Sequence, residues 1–113
     1  MTSGAVFQLH NPDTDRASTA ASLVAVTGEV DVTNVGEFTR SVLAVSHNRP
    51  IILQLSGLRY LDSAGFAAVD RLLAAGAVVV VLSPDSPVHK AAALMCLPFH
   101  HDTETARQLL QHG

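Results

Sequence analysis

The chain has 113 residues, of which 48% are hydrophobic, and a formal net charge of -3. This length suits one domain with a packed core, and the composition argues against a disordered chain. The seven basic residues are scattered, which argues against nucleic-acid binding, because such proteins usually carry a basic face. A single cysteine, Cys96, excludes an internal disulfide and is compatible with a reducing compartment.

Neither a targeting segment nor a membrane span is predicted. The first four residues lack the positive and apolar segments of a signal peptide. The longest apolar runs are far shorter than the roughly 20 residues that a spanning helix needs. We therefore expect a cytoplasmic protein with no direct insertion into a membrane.

The first part of the chain predicts two strands. Ala5–Leu9 is a short strand, and the polar segment Asn11–Thr19 is a turn or loop. Ser22–Thr27 is rich in β-formers and ends at Gly28, so it predicts a second strand. The two strands could form an antiparallel pair.

The first helix is predicted from its capping residues and apolar spacing. Thr33 or Asn34 can cap it, and Glu37 lies three residues after Asn34, as in a capping box. Pro50 places its end near His47–Asn48. Apolar residues at helical spacing form its buried face: Val35, Phe38, Val42 and Val45.

The middle of the chain predicts a strand, a helix and another strand. Ile51–Leu55 is an apolar run typical of a buried strand, and Leu58–Ser63 is a short connection. Ala64–Ala75 is the second helix, ended by Gly76, and Ala77–Leu82 is a central strand with four consecutive valines. The inward residues of this helix are predicted to be Phe66, Val69, Leu72 and Leu73.

The last part predicts two helices around a short strand. Ser83–Ser86 is a turn, and a third helix runs from Pro87 to about Met95. Leu97–His100 is a short edge strand, and Asp102 or Thr103 caps the last helix. The core-facing residues of that helix are predicted to be Ala106, Leu109 and Leu110. The predicted order, β-β-α-β-α-β-α-β-α, indicates an α/β fold with a mostly parallel mixed sheet and an antiparallel edge.

Two segments could carry function. Ser63 follows Asp62 at a strand-to-helix junction, where unpaired N–H groups and the helix dipole favour a phosphate. Glu29 and Asp31 follow Gly28 at the end of an earlier strand, so these acids could lie near Ser63 on one rim. The alternatives are an ordinary helix cap and an ordinary solvated turn.

The two segments together resemble a known family. Gly28-Glu29-Val30-Asp31, an amphipathic helix, a strand and then Leu61-Asp62-Ser63-Ala64-Gly65 resemble the motifs of STAS-domain anti-sigma factor antagonists. The resemblance covers Ala5 to Leu110. It implies a single STAS domain, over residues 1–113, that acts by binding and is not an enzyme.

The resemblance implies a phosphorylation switch at Ser63. The unphosphorylated form of such proteins binds an anti-sigma factor and so frees the sigma factor. The anti-sigma factor is an ATP-dependent serine kinase that phosphorylates this serine, and a PP2C-type phosphatase restores it. The implied partner-binding residues are Glu29, Asp31, Thr33, Asp62, Ser63, Ala64, Gly65 and Phe66. Ala64, itself common in the family, stands where many members have a second Ser or Thr, and Phe66 stands where Leu is usual, which leaves the partner's identity open.

STAS domains also serve as accessory or scaffold subunits of lipid-transport ABC complexes and signalling assemblies, and this alternative stays open. The sequence predicts no cofactor, no metal and a monomer or weak dimer. Adjacent His100 and His101 would point to opposite faces of a strand, and the other histidines lack ligand spacing. A hydrolase elbow would need glycine where Leu61 stands. Cys96 is expected to be a buried, inert thiol, with a redox role as the alternative.

Overall fold

The computed structural model describes residues 5–11, 21–46 and 50–112. The strands in this part are β1 (Phe7–His10), β2 (Ser22–Val30), β3 (Ile51–Gln54), β4 (Leu58–Leu61) and β5 (Val78–Val81). The helices are α1 (Val35–Ser46), α2 (Ser63–Ala74), α3 (His89–Leu94) and α4 (Thr103–His112). The predicted α/β class is confirmed.

The sheet is built around the long strand β2. One edge of β2 pairs antiparallel with β1, and the other edge pairs in parallel with two strands in succession. Its first half, Ser22–Ala25, lies beside β3, and its second half, Gly28–Val30, lies beside β4. β5 extends the sheet in parallel beyond β3 and is the last strand of the order, so its predicted central position is wrong. The mostly parallel sheet with an antiparallel edge therefore agrees with the prediction.

Gly28 permits the close approach of β1 to the end of β2. Its φ is +97°, and a Cβ there would lie 2.2 Å from the carbonyl oxygen of Val6. The pairing of β2 with β4 changes register between Gly28 and Glu29, which makes Arg59 the extra residue on β4. Only glycine satisfies both the positive φ and the contact.

Helices cover both faces of the sheet. Successive strand residues point to opposite faces, so strands with buried residues on both sides contribute to two cores. The larger core lies between the sheet and helices α1 and α2, and it includes Val24, Val26, Phe38, Val42, Leu53, Phe66, Val69 and Leu72. The smaller core lies on the opposite face under α4 and contains Ala21, Ile52, Val81 and Ala106. The ring of Phe7 meets the ring of Phe38 edge to face at 5.7 Å, which fixes β1 against α1.

The prediction that Leu58–Ser63 is a connection is wrong for the first four residues of this segment. Leu58–Leu61 forms β4, whose first and last residues are buried and whose middle residues, Arg59 and Tyr60, are exposed. This pattern lacks the strict alternation that reveals a strand in a sequence. Ser63 is already the first residue of α2, one position earlier than predicted.

The predicted edge strand Leu97–His100 shrinks to one bridge. His100 pairs with Val81, donating its N–H to Val80 and accepting the N–H of Leu82. Pro98 has no N–H with which to continue a ladder. The segment lies along the edge of β5 but is not a regular strand.

Smaller corrections concern the helices. The prediction of a capping box between Asn34 and Glu37 is wrong. The N–H of Asn34 bonds the carbonyl of Asp31, and the side-chain Oδ1 of Asn34 accepts the N–H of Asp31. Helix α3 begins at His89 instead of Pro87. On α4 the predicted core residue Leu109 is 51% exposed, because Ala106 and Leu110 form the packed stripe.

Other predicted bounds are close to the observed ones. β1 is shifted two residues from the predicted start at Ala5, and β2 continues three residues past Thr27. The predicted loop Asn11–Thr19 lies, apart from Asn11, outside the described residues, as does the predicted helix end at His47–Asn48.

Candidate functional site

The two sequence segments meet because β2 and β4 end side by side. Val30 pairs with Leu61, so the turns that follow these strands leave the same edge of the sheet. The N–H of Asp62 donates to the carbonyl of Val30 at 3.3 Å. The turn that carries Asp31 therefore lies beside the turn that carries Ser63, whereas Glu29 is still part of β2. The expected closeness of both acids to Ser63 stays a prediction.

Asp62 ties the two turns together through both of its carboxylate oxygens. Oδ1 accepts the N–H of Gly65 at 2.9 Å, which caps α2. Oδ2 accepts the N–H of Val32 at 3.1 Å, across 30 residues of sequence. Asp62 therefore fixes the position of Ser63 relative to the turn before α1.

Ser63 is exposed at the first position of α2. The N–H groups of a first helical turn have no acceptor within the helix. Asp62 accepts the N–H of Gly65, and its carbonyl accepts that of Phe66 at 2.9 Å. The N–H groups of Ser63 and Ala64 are therefore the first-turn donors that remain for an anion on the Ser63 hydroxyl.

The turn after β2 is held by its own polar side chains. Asp31 Oδ1 accepts the N–H of Thr33 at 2.8 Å and also its hydroxyl. These bonds from Thr33, the hydroxyl first, lower the pKa of the Asp31 carboxyl. Val32, at the tip of this turn, is 70% exposed. The turn therefore presents an apolar side chain on a rigid loop.

Asn34, predicted as a possible cap of the first helix, instead holds the turn after β2 in place. It is buried, with 8% of its surface exposed. Its Oδ1 accepts the N–H of Asp31, and its Nδ2 donates to the carbonyls of Ala5 and Glu29 at 2.9 and 3.0 Å. Asn34 therefore anchors the turn to β1 and β2, a role that only the tertiary structure reveals.

The remaining predicted site residues divide between surface and interior. Glu29 pairs with exposed Arg59 at 3.5 Å, in a surface ion pair that contributes little to stability. Gly65 is buried, and a Cβ there would lie 2.3 Å from Leu61 Cδ1, so glycine lets α2 pack on β4. Ala64 is half-buried, and Phe66 is 4% exposed within the larger core.

A family model for the STAS domain matches residues 11–100 of the chain. This match spans most of the sequence and includes both turns of the rim. The chain belongs to the STAS domain family. A search of curated proteins found no match.

Two solved structures share this STAS fold. One is an anti-sigma factor antagonist from Mycobacterium paratuberculosis, with 18% identity over 96% of this chain and 95% of that one and a TM-score of 0.66. The other is the anti-sigma factor antagonist SpoIIAA in its unphosphorylated form, with 22% identity over 94% and 98% and a TM-score of 0.56. At these identities the similarity establishes the fold.

The histidines and the single cysteine are the other chemistry-bearing residues of this STAS domain. Within the described residues no three His, Cys, Asp or Glu side chains are grouped as metal ligands, and no helix is long and apolar enough to span a membrane. His89 and His101 pack their rings against Phe99. Cys96 is exposed, so the expectation of a buried thiol is wrong: it occupies the turn that ends α3.

Proposed function

We propose that this protein is an anti-sigma factor antagonist switched by phosphorylation of Ser63. The unphosphorylated form binds an anti-sigma factor of the serine-kinase type and releases the sigma factor. The observation that carries the proposal is the placement of Ser63: an exposed hydroxyl at the start of α2, held beside the Val32 turn by Asp62. The two similar solved structures, both anti-sigma factor antagonists, support it.

The rim suits a kinase that must bind its substrate through a surface as well as a hydroxyl. Only Asp62 separates Ser63 from the end of β4, and Ser63 begins a helix, so its position is more rigid than that of a serine in a free loop. Asp31, Thr33 and Val32 lie on the neighbouring turn and belong to the same proposed contact surface. Glu29 and the start of α2 complete this surface.

Phosphorylation changes charge at this rim without requiring a change of fold. A phosphate adds about -1.5 to -2 charge at pH 7. It would stand beside the Asp62 carboxylate and near Asp31, where the partner surface meets a neutral hydroxyl in the unmodified protein. A loss of about 3 kcal/mol of binding free energy would weaken the complex more than a hundredfold.

The proposal implies a reversible cycle in the cytoplasm. A PP2C-type phosphatase restores the free hydroxyl of Ser63, and the protein acts as a monomer or weak dimer. It contributes binding and a phosphorylation site, while the chemistry of phosphoryl transfer belongs to the kinase and the phosphatase.

The test is the affinity of two Ser63 variants for the purified anti-sigma kinase. Ser63→Asp, which imitates the added charge, is expected to weaken binding strongly, whereas Ser63→Ala is expected to bind like the unmodified protein. Thr105→Asp is a matched control, because Thr105 is exposed on α4, on the opposite side of the sheet. Equal affinity of both Ser63 variants would contradict the switch.

A further inference from the structure

A cavity of about 210 Å³ opens beside Ser63, between α2 and the segment that follows α3. It is lined by Ser63, Phe66, Ala67, Asp70, Met95 and Leu97. An enclosed protein cavity of about 150 Å³ accommodates benzene, so this space is large enough for one apolar side chain. Because Ser63 itself forms part of the wall, the cavity is continuous with the proposed partner surface.

The cavity combines an apolar floor with a polar mouth. Phe66 and Leu97 belong to the core and are 4% and 7% exposed, so they form a fixed floor. Met95, at 52% exposed, forms a flexible wall that can adapt to an incoming group. Asp70 stands on an exposed turn of α2 and forms no ion pair with the other described residues.

The cavity wall formed by Met95 and Leu97 is held in place by the hydrogen bonds that end α3. The N–H of Leu97 bonds the carbonyl of Ala92, and the N–H of Cys96 bonds that of Ala93, as in a Schellman motif. Leu97 and Ala92 are both buried in the larger core. The cavity is therefore present in the free protein, with Leu97 held in a fixed position.

We propose that this cavity receives one apolar side chain of the anti-sigma factor, flanked by a basic residue that meets Asp70. The inference rests on the proposed function and names the chemistry of the contact. Interface hot spots are anchors that fill well-packed, desolvated pockets, and charges at the rim mainly speed association. A phosphate on Ser63 would stand at the mouth, so modification and occupation of the cavity compete for the same space.

Filling the cavity tests the proposal. Ala67 is exposed on α2, so Ala67→Leu adds a side chain inside the cavity without disturbing the core. We expect binding to the kinase that phosphorylates Ser63 to weaken about tenfold or more. Phosphorylation by that kinase should show a raised KM, with a maximal rate that recovers at high protein concentration. Ala44→Leu, on the exposed side of α1, should bind like the unmodified protein.

A second pair of variants separates the cavity from a general apolar surface. Met95→Gln alters the cavity wall, whereas Leu94→Gln alters a neighbouring side chain that is 75% exposed and does not line the cavity. Only the first should weaken binding, and Asp70→Asn should slow association at low salt about twofold or more. If the unmodified protein binds no anti-sigma kinase, the proposed function fails. If it binds and Ala67→Leu binds equally well, the cavity proposal alone is overturned.

Discussion

The helix ends after α2 and α3 share one hydrogen-bond pattern but differ in the residue at the left-handed position. Gly76 after α2 has a φ of 75°, and Cys96 after α3 has a φ of 58°. In both turns the residue that follows donates its N–H five residues back, from Ala77 to Leu72 and from Leu97 to Ala92. Cysteine carries a Cβ that disfavours this conformation, so Cys96→Gly is expected to stabilise the protein.

The size of the effect follows from two opposing contributions. The left-handed conformation costs a non-glycine residue about 1–2 kcal/mol. Glycine loses more backbone entropy on folding, which offsets about 0.5–1 kcal/mol of the gain. The thiol of Cys96 is exposed, so its removal sacrifices little packing. The free energy of unfolding should rise by about 0.5–1 kcal/mol for Cys96→Gly.

Urea unfolding of three variants measures these changes in the free energy of unfolding. Cys96→Gly should raise the midpoint by about 0.3–0.5 M at an ordinary m-value, or the Tm by about 2–4 °C. Gly76→Ala should lower stability by about 1 kcal/mol, because its Cβ would meet no atom within 4 Å and only the conformation is penalised. Ala93→Gly, exposed within α3, should also destabilise by about 1 kcal/mol. A Cys96→Gly variant no more stable than the parent would refute the reasoning.

Three further predictions concern the rim. Gly65→Ala places a methyl group 2.3 Å from Leu61 Cδ1 and should cost about 1–3 kcal/mol in urea unfolding, whereas Gly36→Ala, with 3.6 Å to its nearest neighbour, should not destabilise; equal effects would contradict the packing role. Asp62→Ala should cost about 1–2 kcal/mol and speed amide exchange in the turn before α1; unchanged exchange there would show that the bond between the turns is unimportant. The pKa of Asp31 is lower in the folded protein than its ordinary value of 3.8. The ionised carboxylate therefore stabilises the fold fully above pH 3.8, and this stabilisation is lost as the pH falls through the lower folded pKa. The stability difference between the parent and Asp31→Ala should therefore shrink between pH 7 and about pH 2, and a constant difference would exclude this ionisation as its source.

The sequence predicts most of the fold because its strongest signals are local. The four valines of β5, the apolar stripe of α1 and the glycine that ends α2 each indicate their element without tertiary information. The rim is also predictable, since two parallel strands that end at one edge bring their following turns together. This geometry predicts that the turns carrying Asp31 and Ser63 adjoin, and the hydrogen bond from Val32 to Asp62 joins these two turns.

The parts that sequence does not reveal depend on tertiary pairing. β4 becomes a strand only because β2 extends past the end of β3 and offers it an edge, and its bulge at Arg59 hides the alternation. The apolar run before His100 predicts a strand, yet the chain forms one bridge there. Asn34 looks like a helix cap in sequence but binds the carbonyls of two distant segments. The cavity beside Ser63 requires the segment after α3 to lie beside α2, which no local pattern specifies.

Intact mass and site mapping test the central claim most directly, after incubation of the protein with ATP and each candidate anti-sigma kinase of its organism. We predict the gain of one phosphate, on Ser63, from a kinase that also binds the unmodified protein. Ser63→Ala incubated in parallel should gain none. An unmodified Ser63 with every such kinase, or a phosphate placed on another residue, would contradict the account.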